Sequence, residues 1–203
     1  MPERYRLSFT TGGLFLRESE VVIASYLRLS DWKKVRDVVR QENLLQVRTE
    51  AASTRISKEV ISRLEMLDQA ELDAYPDLSL RDQAYLLWVG VCRRYSFLRE
   101  FAIEVLREHY LSLRRELTIG EYDNFFNSKA LWHQELDQLA RSTQQKLRQN
   151  LFRMLREASL VSDQQIIQPV LLSPALAELL ARNDVKDFVV FPISDLEVKR
   201  WQA

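Results

Sequence analysis

The residues with the clearest chemical potential lie between positions 141 and 156. This stretch contains five Lys or Arg residues and no Asp or Glu, whereas the whole chain of 203 residues carries 29 of each sign. Arginine forms forked hydrogen bonds with phosphates and carboxylates, and 22 of the basic residues are arginines, a bias that codon usage alone also produces. A net charge of zero excludes a uniformly basic surface, but the local excess indicates binding of phosphate or of an acidic protein surface.

These cations fall on one predicted helix, which runs from Ser142 to about Ala158. Ser142 and Gln145 have the spacing of a capping box, which predicts where the helix begins. Apolar residues recur every three or four positions and predict a buried face. The opposite face is polar, as a helix in the DNA major groove requires and as an ordinary solvated helix also has. The candidate binding residues on this helix are Ser142, Thr143, Gln145, Lys146, Arg148, Gln149 and Arg153.

The neighbouring segments predict a winged helix-turn-helix unit at about residues 121–173. Two short helices are expected between residue 121 and the cationic helix. After that helix, the apolar pairs Leu160–Val161 and Ile166–Ile167 flank a polar tetrapeptide and predict a short β-hairpin wing. Because the tetrapeptide contains Asp163 and no cation, we expect the wing to be structural and not a phosphate contact.

The N-terminal region predicts a separate helical domain. Three helices are expected within residues 14–67, in the order and spacing of a helix-turn-helix, although any small three-helix bundle has the same pattern. The acidic stretch that follows contains Pro76 and predicts a linker. We therefore divide the chain into an N-terminal helix-turn-helix-like domain, residues 1–75, and a C-terminal helical domain, residues 76–203, that includes the winged unit.

The composition predicts a mostly α fold. The chain has only 4 Gly and 5 Pro, which argues against a loop-rich or many-stranded protein, and 46% hydrophobic residues, which suits a folded core. Two consecutive helices, at about 79–95 and 96–115, are apolar nearly all round in places and predict the central core. One late strand is expected at residues 187–193.

The residue patterns of an enzyme or a metal protein are missing from the sequence. Cys92 is the only cysteine, so the chain has neither an intrachain disulfide nor a cysteine metal cluster. His109 and His133 have no second ligand at metal-binding spacing, and no phosphate-binding loop or nucleophile elbow occurs. We predict a non-enzymatic protein with no catalytic residue, metal site or cofactor.

The hydropathy pattern predicts a soluble, cytoplasmic protein with no membrane partner. The longest apolar run is AYLLWVGVC, nine residues that begin at Ala84, whereas a membrane-spanning helix needs about 20. The first residues, MPERYRLSFTTGG, contain no apolar signal core.

Three stretches carry a family resemblance. They read RYRLSFTTGGLFLRESEVVIASYL, DWKKVRDVVRQENLLQVRTEAASTRISKEVISRL and LARSTQQKLRQNLFRMLREASLV. They resemble the BrxA family, the small component of bacterial BREX phage-defence systems, and the similarity covers nearly the whole chain. The resemblance implies an all-helical, nucleic-acid-binding, non-enzymatic defence component that acts beside a methyltransferase, an ATPase and a phosphatase-like protein. Members of the family have been likened to the RNA-binding antitermination protein NusB, and some are labelled inner-membrane proteins, which the nine-residue apolar limit opposes.

The resemblance also adds candidate contacts in the first domain, which are Arg48, Arg55 and Lys58 on its third helix. The leading hypothesis is a double-stranded DNA-binding protein that uses cationic helix faces within a BREX complex. Two alternatives stay open: an adaptor whose arginine-rich helix docks other BREX components, and a NusB-like RNA-binding protein.

Overall fold

The computed structural model describes residues 4–201, and the regular secondary structure of this part of the chain is almost entirely helical. A π-helical segment, Ala102–Arg107, joins the helices Ser96–Phe101 and Glu108–Leu111 into one continuous rod. Short 3₁₀ helices occupy Tyr75–Asp77 and Val185–Val190. The α-helices of the described residues are α1 (Leu16–Leu29), α2 (Trp32–Gln41), α3 (Glu50–Leu64), α4 (Gln69–Ala74), α5 (Leu80–Arg94), α6 (Ser96–Phe101), α7 (Glu108–Leu111), α8 (Ile119–Ala130), α9 (Gln134–Asp137), α10 (Arg141–Glu157), α11 (Pro174–Asn183) and α12 (Asp195–Arg200). The predicted mostly α fold is confirmed.

Side-chain caps set several of the helix starts. The Asp31 carboxylate accepts the backbone N–H groups of Lys33 and Lys34. The Ser79 hydroxyl accepts the N–H of Asp82, where the sequence predicts a helix start. The predicted capping box at Ser142 is wrong. Helix α10 begins one residue earlier, after Ala140, so Ser142 lies inside the first turn, and no side chain caps this end.

The predicted β-hairpin wing is also wrong. Between residues 4 and 201 no run is long enough to form a strand, and only two isolated antiparallel bridges occur, Val161 with Ile167 and Glu116 with Ile166. The apolar pairs on either side of the turn are too short to extend a ladder. The Ile167 N–H donates instead to the carbonyl of Arg115, a residue that lies before α8.

The late strand expected at residues 187–193 forms a 3₁₀ helix and a following turn. The Asp184 carboxylate accepts the N–H of Lys186 and thereby starts the 3₁₀ helix. The Asp187 side chain is buried and forms ion pairs with Arg93 and Arg99.

Helices α1, α2 and α3 pack against one another as a three-helix unit. Residues 42–49 connect α2 to α3, a longer connection than the three or four residues of a typical helix-turn-helix. Helix-turn-helix geometry in this unit therefore stays a prediction, as does the division into domains at residue 75. Buried apolar residues form one cluster that extends from Tyr5 to Val198.

Helix α5 lies at the centre of that cluster and is buried on almost every side. Trp88 is fully buried, and its indole N–H donates to the carbonyl of Val190 across the molecule. Gly90 is needed for close packing, because a Cβ there would lie 3.2 Å from the carbonyl oxygen of Arg63. The two helices that the sequence predicts as the core, α5 and the rod that starts with α6, are therefore confirmed as core elements.

A buried ion-pair network joins α5 to α4 and to the C-terminal 3₁₀ helix. The Arg93 guanidinium lies 2.6 Å from a carboxylate oxygen of Glu71 and 2.7 Å from one of Asp187, and Arg99 lies 3.0 Å from Asp187. Burial opposes the charged form of Arg93, but its hydrogen bonds to Glu71 and Asp187 outweigh that effect and raise its pKa.

We expect Arg93→Met to lower the free energy of unfolding by about 3–5 kcal/mol, because the substitution leaves two buried carboxylates without their shared cation. The matched control is Arg36→Met, which removes an exposed pair with Glu65 and should cost at most about 1 kcal/mol. Urea unfolding of both variants measures the difference. Equal costs for the two substitutions would show that the network is not a main stabilising element.

Candidate nucleic-acid interface

Helix α10 presents one apolar and one polar face, as its sequence predicts. Leu147, Leu151, Met154 and Leu155 are fully buried. The exposed residues recur along the opposite side of the helix, which is about 25 Å long. They are Arg141, Ser142, Gln145, Lys146, Gln149, Arg153 and Arg156, and Thr143 and Arg148 lie half-buried at the edge.

Three of the five cations on α10 form ion pairs with carboxylates of the same chain. The Arg148 guanidinium lies 2.7 and 2.8 Å from the two carboxylate oxygens of Asp123 on α8. Arg153 pairs with Glu157 at 2.7 Å, one helical turn further on, and Arg156 lies 3.8 Å from Asp163. The local positive charge is therefore smaller than the count along the sequence indicates.

The other two cations, Arg141 and Lys146, form no ion pair with any described residue and are exposed. Both belong to the first two turns of α10. The N-terminus of a helix carries a partial positive charge, so these side chains and the helix dipole favour an anion at the same end.

The N-terminal segment of the chain holds α10 in place from its buried side. The Asn150 amide donates to the carbonyl of Phe9 at 2.9 Å, and the N–H of Leu14 donates to the Glu157 carboxylate. Phe152, which lies on the polar side of the sequence pattern, is buried with 5% exposure. Residues more than 130 positions away in the sequence thus fix the direction in which the cationic face points.

The first-domain candidates lie on a different helix. Arg48 precedes the Thr49 cap of α3, and Arg55 and Lys58 lie on the outer side of that helix. All three are exposed, and none forms an ion pair within residues 4–201. The structure thus gathers the candidates into two sets, one on α10 and one made of Arg48, just before α3, with Arg55 and Lys58 on α3, and no hydrogen bond or ion pair joins the sets.

Sequence reasoning missed the acidic partners of α10. Glu157 stands four residues after Arg153, a spacing that predicts a helical ion pair. Asp123 lies 25 residues before Arg148, and no local pattern connects them. The sequence also predicts that the second core helix continues to about residue 115, whereas the helix ends at Leu111 and Glu116 forms a bridge with Ile166.

Both histidines are buried and paired with carboxylates. His109 Nε2 lies 3.1 Å from Glu121, and His133 Nδ1 lies 3.1 Å from Glu135 while its ring stacks on Tyr5. Over residues 4–201, no group of three or more His, Cys, Asp or Glu side chains has the arrangement of a metal site.

The described part of the chain contains no helix that could span a membrane. Each of its helices is too short or too polar to cross a lipid bilayer.

Comparison with known proteins connects this chain to one family. A sequence model of the BrxA family matches residues 3–184. A protein of Escherichia coli O9:H4 (strain HS) called BREX protein BrxA is 27% identical over 191 residues, which cover 93% of this chain and 88% of that protein. A protein of Bacillus cereus (strain H3081.97) with the same name is 24% identical over 175 residues, 84% of this chain and 87% of that protein.

The fold also has a solved counterpart. A crystal structure of an uncharacterized protein from Magnetospirillum magneticum superposes with a TM-score of 0.77 and 21% sequence identity. The similarity covers 94% of this chain and 98% of the other. This likeness establishes a shared fold.

We expect Gly13→Ala to loosen the N-terminal segment from α10. A Cβ at this position would lie 2.2 Å from a Glu157 carboxylate oxygen, so the Glu157 side chain must shift, and the shift disturbs its hydrogen bonds with Leu14 and Arg153. The expected cost is about 1–3 kcal/mol of unfolding free energy, measured by urea unfolding.

The matched control is Gly120→Ala, where the nearest atom to the added Cβ is the Thr118 hydroxyl oxygen at 3.7 Å. That variant should be as stable as the parent or slightly more so, since alanine favours a helix. A Gly13→Ala variant with parental stability would mean that the contact with Glu157 does not hold α10.

Proposed function

The chain belongs to the BrxA family, and from this membership and the surface of α10 we propose that it is a double-stranded DNA-binding component of a bacterial BREX phage-defence system. In this proposal the protein is non-enzymatic, acts in the cytoplasm and works together with other BREX components. The two relatives named BREX protein BrxA support the assignment to phage defence. The proposal of DNA binding, in contrast, is based on the exposed residues of this chain and not on its relatives.

The observation that carries DNA binding is the exposed, unpaired cationic end of α10. Arg141 and Lys146 are free to meet phosphates, and Gln145 and Gln149 project from the same side, where amides form hydrogen bonds with base edges or sugars. The recognition helix of a DNA-binding domain likewise packs one face on its own domain and presents the other to the major groove.

The proposal includes a second contact through α3. Arg48, Arg55 and Lys58 are exposed cations on a three-helix unit, and a phosphate contact from this unit would lengthen the footprint on the duplex. In this view residues 1–75 and 76–203 act as two DNA-contacting units, each with one cationic helix. The turn at residues 162–165 contains Asp163 and no cation, so it is left outside the interface.

We expect the double variant Arg141→Glu/Lys146→Glu to bind duplex DNA at least about tenfold more weakly than the parent at low salt, because both phosphate contacts become repulsive. The matched control reverses two exposed cations elsewhere, Arg182→Glu/Lys186→Glu, and changes the net charge by the same amount. Fluorescence anisotropy with a labelled duplex across a salt series measures both variants.

An equal loss of affinity in the two double variants would contradict a specific α10 contact, since it would reflect net charge alone. Duplex RNA and single-stranded DNA serve as competitors in the same assay. A preference for RNA would support the NusB-like alternative, and no binding to any nucleic acid would support the adaptor.

We expect Asp123→Asn to tighten duplex binding. The carboxylate of Asp123 occupies the Arg148 guanidinium and repels phosphate, and its loss frees one cation on the α10 face. Because the pair is partly exposed and worth at most about 1 kcal/mol, the expected gain is up to about fivefold.

The same variant should steepen the plot of log affinity against log salt by about 0.9, the contribution of one added phosphate contact. Thermal unfolding of Asp123→Asn provides the control for folding. An unchanged affinity together with an unchanged salt slope would exclude Arg148 from the interface.

A further inference from the structure

A cavity of about 440 Å³ lies between the end of the α6–α7 rod and the extended residues after α10. Its lining includes Tyr110, Arg114 and Arg115 on one side and Ile166 and Pro169 on the other. None of the lining residues belongs to α3 or α10. The cavity is therefore separate in the sequence from both cationic sets of the proposed DNA-binding surface.

Two adjacent arginines at this cavity have no internal partner. Arg114 and Arg115 are exposed, and within residues 4–201 neither side chain forms an ion pair or a hydrogen bond. Arg114 also borders a neighbouring groove that contains Glu104 and Glu121, but no carboxylate oxygen lies within 4.0 Å of its guanidinium. Arg148 and Arg153, in contrast, both hold carboxylates of this chain.

The backbone around the cavity is fixed in position. The N–H of Arg114 donates to the carbonyl of His109, and the carbonyl of Arg115 accepts the N–H of Ile167. These bonds fix the backbone that carries the two arginines.

The rim of the cavity is apolar and open to solvent. Leu113 is 87% exposed and is held at a φ of 59°, a left-handed conformation that costs a leucine on the order of 1 kcal/mol or more. Leu111 and Ile119, on either side of the same segment, are 36% and 46% exposed. Leu113 takes this conformation as the left-handed residue that ends the rod, and its exposed side chain offers apolar area beside the cavity.

We propose that this cavity and its rim dock an extended peptide segment of a partner protein that carries alternating acidic and apolar side chains. Apolar side chains of the peptide would fill the space between Tyr110 and Ile166, and its carboxylates would bind the forked guanidiniums of Arg114 and Arg115. Leu113 would pack on the outer side of the peptide. A phosphate backbone satisfies the arginines but leaves the apolar rim exposed, so charge and hydropathy together favour a peptide.

The docking site does not depend on the proposed DNA binding, and the test separates the two. The full chain is titrated into a fluorescein-labelled hexapeptide of alternating aspartate and leucine, and binding is followed by anisotropy. The matched peptide replaces each aspartate with asparagine. The variants are Arg115→Gln and Leu113→Ser, with Arg182→Gln, an exposed arginine on α11, as the control.

The acidic peptide should bind at least about tenfold more tightly than the asparagine peptide, because each charge-assisted bond is stronger than a neutral one. Arg115→Gln and Leu113→Ser should each weaken it at least about fivefold while Arg182→Gln and the parent bind alike. Both variants should keep the parent's melting temperature and its affinity for duplex DNA.

Any one of three peptide-binding results would overturn the proposal. They are equal binding of the two peptides, no effect of Arg115→Gln or Leu113→Ser, and no saturable binding of the acidic peptide. A loss of duplex DNA affinity in Arg115→Gln would also overturn it, since the arginine would then belong to a nucleic-acid surface.

Discussion

The burial of one face of α10 is the constraint on which the rest of the interface depends. Four large apolar side chains of this helix are fully buried, and this fixes the rotation of the helix about its axis. Once the rotation is fixed, Arg141, Lys146 and the glutamines between and after them must face outward. The N-terminal segment completes the support, because Phe9 and Leu14 bind α10 through Asn150 and Glu157.

Electrostatic pairing then decides how much of the cationic face is available. A charge count along residues 141–156 treats all five cations as equal, but carboxylates from α8, from the end of α10 and from the following turn hold three of them. In the proposed function this pairing keeps affinity modest and concentrates it at the N-terminal end of the helix. Because the total charge of the chain is zero, the rest of the surface also has little nonspecific attraction for DNA.

Hydrophobic periodicity was sufficient to predict most helices, because each helix buries a stripe that recurs in its own sequence. Helices α5 and α10 begin and end within one residue of their predicted bounds. The wing failed because two apolar pairs of two residues each carry too little pattern to distinguish a hairpin from isolated bridges. The pairs Arg148–Asp123 and Arg93–Asp187 were beyond prediction, because their partners come from distant segments that only the fold brings together. The sequence predicts the candidate residues on α10 as a set, but it does not show which of their cations form ion pairs with carboxylates.

The most direct test of the central claim is to locate duplex DNA on the protein by site-specific photo-crosslinking. Benzoylphenylalanine is placed at position 149, on the exposed face of α10, or at position 175, an exposed position on α11. The account predicts a crosslink to duplex DNA from position 149 that disappears at high salt, and none from position 175. Crosslinking from position 175 alone, or equal crosslinking from both positions, would contradict the claim that α10 forms the DNA-binding face.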